Sequence, residues 1–161
     1  MTSSGLESIR GALYEAGHSA VCLHFGGQLS GVTLSSRPQS GYGGLANFRD
    51  ADERNISQRA REQIVIAFAG AAALRMFYPD QPTAEILSRR MNDFEYIKSI
   101  VNNPQYGIVE AYLKEAEGDA ESLVTELRLV IAVIANALFD KKSLTSAEVK
   151  QIYDARRGEN L

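Results

Sequence analysis

Only one cysteine, Cys22, occurs in 161 residues. A lone cysteine excludes an internal disulfide framework and suits a reducing compartment. An excess of positive charge is also lacking. The 17 Lys and Arg face 20 Asp and Glu, for a net charge of −3. Basic residues cluster only as the pairs Arg89-Arg90, Lys141-Lys142 and Arg156-Arg157. That balance carries no nucleic-acid footprint. Long apolar runs are missing too. The longest, Ile64 to Leu74 and Leu129 to Phe139, reach about half the roughly 20 residues that a membrane-spanning helix needs. Residues 1–5 are polar and hold no basic stretch ahead of an apolar one, so no signal peptide is expected. Tryptophan is absent, and neither repeats nor low-complexity tracts occur. The expectation is a soluble, cytoplasmic chain forming one domain over residues 1–161, long enough to bury a sizeable core.

What is present is mostly helical periodicity. Leu6, Ile9, Leu13, Ala16, Ala20 and Leu23 recur at alternating steps of three and four, which makes one apolar stripe on a helix. Ser4 with Glu7 reads as its capping box, and Gly26-Gly27 as its stop. Tyr14, His18 and Cys22, four apart, line a second face beside that stripe. A second helix is expected from Ser57 to Phe77, with Ile64, Phe68, Ala71 and Leu74 on its buried face. Its small-residue middle, Ala67 to Ala73, permits close packing by another helix. Thr83 is read as capping a short helix that leads through Asn92-Asp93 into another carrying Phe94, Ile97 and Val101. Asn102-Asn103-Pro104 breaks it. Ile108 to Phe139 is again helical, with an interruption expected near Gly118. Its core stripe is Leu123, Leu127, Val130, Ile134 and Leu138. Thr145 with Glu148 is a second capping box, opening a terminal helix.

One stretch changes period. Val32 and Thr33 favour strand within Leu29 to Ser35. Arg37 to Gly41 is turn chemistry. Tyr42 to Phe48 alternates large and small residues, so a hairpin or small sheet is expected. The fold class that results is mainly α with a small β-hairpin, an α+β arrangement.

The chemistry concentrates in Tyr14-Glu15-Ala16-Gly17-His18. It is one residue short of H-E-x-x-H, in which two histidines one turn apart ligate Zn²⁺ and the glutamate activates a bound water. Alone, an E-x-x-H on a helix is more often a solvated or hydrogen-bonded pair than a metal site. Asp93 is a candidate further ligand, and its plainer reading is an acid favoured by the dipole at a helix start. Cys22 could pair with His18 as an i, i+4 chelate, although a small residue packed in the core is the simpler reading. His24 reads as a helix C-terminal histidine.

Taken in order, these segments resemble the peptidase domain of FtsH-type ATP-dependent zinc proteases. Ala12 to Val21 is similar to the H-E-A-G-H-A helix of that family. Val32-Thr33-Leu34 and Gly41-Tyr42 resemble its strand pair. Ala69-Gly70-Ala71-Ala72 resembles its Gly/Ala-rich helix, and Asn92-Asp93-Phe94-Glu95 its S-N-D-L segment. Ala135 to Val149 resembles its closing helix pair. The resemblance covers nearly the whole chain.

The resemblance implies zinc, with His18 and Asp93 as ligands and Glu15 as general base. The strand near Tyr42 to Ala46 would hold an extended peptide by backbone pairing. Three departures accompany it. No ATPase module or membrane anchor is seen in this sequence. Pro82 to Arg90 replaces a glycine-containing loop. The first ligand is Tyr14, which could bind only as a phenolate. The expected function is therefore a peptide-binding or protein-binding pseudopeptidase in which zinc is lost or weakly held. The alternative is an active zinc endopeptidase. Expected partners are a peptide or unfolded protein segment, with a second copy or a separate ATPase as further possibilities.

Overall fold

The computed structural model describes residues 3–34, 56–79 and 84–159. These residues form six α-helices and one small antiparallel sheet. The helices are α1 (Ser3–His24), α2 (Ile56–Phe77), α3 (Ala84–Val101), α4 (Tyr112–Glu126), α5 (Arg128–Lys141) and α6 (Ser146–Arg156).

The middle of the fold is α2. Its run of small residues lets neighbours approach, and it packs mainly on α1 and α4. Of the expected buried face, Ile64 and Leu74 are buried whereas Phe68 and Ala71 are only part-buried, and burial extends well beyond that stripe. Ala60, Gln63 to Ala67, Ala69, Gly70 and Ala72 to Leu74 are all buried, which takes in most of the circumference. Helix α1 packs against both α2 and α5. Helices α1 and α2 come very near each other at Gly17, where an added Cβ would sit 2.6 Å from the Ala69 carbonyl oxygen and 2.7 Å from the Ala73 Cβ. Only glycine lets the two backbones meet there.

Helix α1 stops as its glycines suggest. Gly26, at φ 74°, donates to Leu23 O at 3.0 Å, and Gly27 donates to Cys22 O at 2.9 Å. This paired pattern closes the last turn. The terminal capping box is also formed. Glu148 N donates to Thr145 Oγ1 at 3.1 Å, and Thr145 N to Glu148 Oε1 at 3.0 Å. The Ser4–Glu7 box involves side chains outside the described residues, as does the Thr83 cap.

Two expectations are corrected, and one pairing is added. First, α3 is one continuous helix, so Asp93 stands in its middle and not at a helix start. The dipole argument for that acid therefore fails. Second, the long helical stretch breaks at Leu127, not at Gly118. Leu127 leaves the helical region at φ −97°, ψ 16°, and α4 and α5 meet at 77°. Leu127 is buried at the corner where the two helices turn their apolar faces onto one core. Gly118 stays inside α4 facing open space. In addition, β1 (Val32–Thr33) pairs with β2 (Ser143–Leu144), in the register Val32 with Leu144 and Thr33 with Ser143. Its partner is thus a distant segment, between α5 and α6. The expected strand at Tyr42 to Phe48 lies outside the described residues.

Among the described residues, no single helix is long and apolar enough to cross a membrane. Helices α4 and α5 together have the length and composition of a span, but are sharply bent at their junction.

Candidate functional site

Helix periodicity puts Tyr14 and His18 one turn apart on α1, and both are buried, at 1% and 2% exposure. Asp93, 6% exposed, reaches them from α3. The Tyr14 hydroxyl donates a hydrogen bond to Asp93 Oδ2. His18 Nε2 lies 3.5 Å from the same oxygen. The two rings meet edge to face, with centroids 4.8 Å apart and planes at 88°. Two donors from α1 thus converge on one carboxylate from α3.

Glu15 stands beside this group and is partly exposed. Its Oε2 is 3.8 Å from His18 Nδ1, on the other side of the imidazole from Asp93. Burial favours the neutral imidazole, but Asp93 and then Glu15 outweigh it and hold the His18 pKa up at about 9. Burial raises the Tyr14 pKa well above the usual phenol range, and the Asp93 charge adds to this. The phenol therefore keeps its proton.

The site also depends on a residue that motif reasoning passed over. Gly70 of α2 faces the two rings. A Cβ there would lie 2.4 Å from His18 Nε2 and 2.8 Å from Tyr14 Cε1. The absent side chain makes room for the imidazole and the phenol. The signal is the small-residue run itself, whose glycine serves the two rings as well as helix packing. Arg10, one turn before Tyr14 on α1, is buried and lies over the Tyr78 ring, 5.6 Å from its centroid.

The remaining candidates lie elsewhere. Cys22 is buried with its sulfur towards Gly27, and burial pushes its thiol up to about 11. His24 is exposed and meets the edge of Phe25. Among the described residues, no three His, Cys, Asp or Glu side chains come together in a group able to hold a metal ion.

The donor set can be tested against zinc. Two ligands of one tetrahedral zinc, each about 2.0–2.2 Å from it, stand about 3.3–3.6 Å apart. His18 Nε2 and Asp93 Oδ2 have that separation. The third position does not suit an ion. Tyr14 presents a protonated phenol whose proton is already bonded to the carboxylate oxygen that an ion would need. A catalytic zinc takes three protein ligands and an open position. These residues do not fit it.

Beside the group is a cavity of about 50 Å³ between α2 and α3. That is room for a few water molecules or a small apolar group. Tyr14 and Asp93 line it, together with Phe68, Arg75, Arg90 and Phe94. Phe68 and Phe94 meet edge to face at 6.1 Å, and Phe94 is 43% exposed.

No protein-family model matches the chain, and no curated protein matches it by sequence.

Proposed function

We propose that the chain is a degenerate relative of the FtsH-type peptidase domains, one that binds a peptide or unfolded segment without cleaving it. The observation that carries this reading is the Tyr14 hydrogen bond to Asp93. It takes up the carboxylate that metal-dependent hydrolysis would need, and the buried phenol resists ionisation. Without a metal to polarise a carbonyl or activate water, Glu15 has no nucleophile to generate. The part-open cavity supports a binding role, because it offers a small recess of mixed character, with Phe68, Phe94 and Ile97 beside Arg75, Arg90, Asp93 and Glu117. The partner would be an extended segment placing a small apolar side chain there, and a separate ATPase could deliver it.

One observation favours the alternative, an active zinc endopeptidase with Glu15 as general base. It is the 3.5 Å spacing of His18 Nε2 and Asp93 Oδ2. The experiment separating the two combines a fluorescent-peptide binding screen with a hydrolysis assay, run with zinc and with chelator. Saturable binding without cleavage in both conditions is the expected result. Zinc-dependent cleavage abolished by Glu15→Gln would establish the alternative and end the proposal.

A further inference from the structure

The misfit with zinc has a structural counterpart. Among the described side chains of α3, residues 90–101, Asp93, Ile97 and Ile100 are buried, and Asp93 comes first of the three along the helix. A buried carboxylate is costly unless hydrogen-bonded, and two groups of α1 reach this one: the Tyr14 hydroxyl and the His18 imidazole.

We infer that this is a zinc-shaped site closed by a tyrosine, in which the Tyr14 hydroxyl replaces an ion as the cross-link between α1 and α3. His18 and Asp93 keep the spacing of two ligands on one tetrahedral ion. Tyr14, one turn before His18 on the same face, reaches the same carboxylate oxygen. An ion would join the helices by coordination. Here a charge-assisted hydrogen bond joins them, and such bonds are stronger than neutral ones. The seating of α3 then needs no metal. That seating also sets the cavity, because α3 supplies Arg90, Asp93 and Phe94 to its wall. The inference rests on the proposed function only in that both exclude a resident ion.

Hydrogen exchange of the full chain, read by mass spectrometry over α3, tests it. Wild-type exchange across α3 should be the same in chelator and in excess zinc. Tyr14→Phe should speed exchange there by about tenfold or more, in both conditions. Tyr14→His should exchange fast in chelator and be slowed by zinc, because it returns a third ligand beside two that are already spaced for one. Slowing of the wild type by zinc would overturn the inference. So would unchanged α3 exchange in Tyr14→Phe, or a Tyr14→His variant indifferent to zinc. If Tyr14→Phe loosens the whole chain, the two zinc arms still decide. Lack of saturable peptide binding would end the binding role and leave these outcomes unchanged, so the two claims fail separately.

Discussion

Gly17 and His18 are neighbours on α1, yet they join it to its surroundings in opposite ways. Gly17 has no side chain, and the α2 backbone comes so close that an added methyl would strike the Ala69 carbonyl. His18 is a buried polar ring whose partners, Asp93 and Glu15, are carboxylates. The first contact is dispersion between backbones at short range. The second is charge held in a dry place, where an unmatched group is expensive. The difference teaches that fold and site are separable here. The α1–α2 contact at Gly17 involves none of the polar group, whereas the polar group needs the space that Gly70 leaves for its two rings.

Substitutions can break this comparison at either end. Gly17→Ala has the largest expected effect, a loss of about 3 kcal/mol, because backbone atoms must move to admit the methyl. Chemical denaturation measures it, and a loss under half that size would mean that the two helices yield easily. Tyr14→Phe comes next, at about 2 kcal/mol, since it removes a hydrogen bond to a buried carboxylate and leaves the ring in place. If the Phe variant matched the wild type, the hydroxyl would have no structural part.

A pH series sharpens the polar side. The His18 pKa is raised in the fold, from 6.5 to about 9. Its contribution to stability is therefore complete below about pH 6.5 and is lost as pH rises through about 9. Tm should fall over that window, and Asp93→Asn should flatten the fall. A wild-type Tm that stays level or climbs from pH 6.5 to 9 would contradict a charged imidazole at this position. The smallest effect belongs to an exposed polar contact, Thr145 with Glu148. Thr145→Ala should cost about 1 kcal/mol, as helix caps do, without changing exchange over α3.

Much of the helical frame was legible in the residues. Apolar spacing located α1 and α2, and the Gly26-Gly27 stop and the Thr145 box formed where their local chemistry put them. Local signals failed where distant contacts decide. Val32 and Thr33 read as strand, but nothing nearby pointed to Ser143 and Leu144 as partners. Asp93 looked like a helix-start acid because Asn92-Asp93 has cap chemistry, yet α3 runs straight through it. The break at Leu127 carries neither Gly nor Pro, and it follows from the packing of α4 and α5. At the site, the i, i+4 spacing of Tyr14 and His18 was plain. The bond from Tyr14 to Asp93 spans 79 positions, and no periodicity could specify it. Gly70 was hidden for a similar reason, since its part lies in the rings it admits.

Metal content is the most direct measure of whether a tyrosine has closed this site. Wild type and Tyr14→His, both purified without chelator and dialysed against zinc, are compared by elemental analysis. Wild type should carry no zinc near stoichiometry, and Tyr14→His should carry about one ion per chain. Stoichiometric zinc in the wild type, or none in the histidine variant, would contradict the closed site.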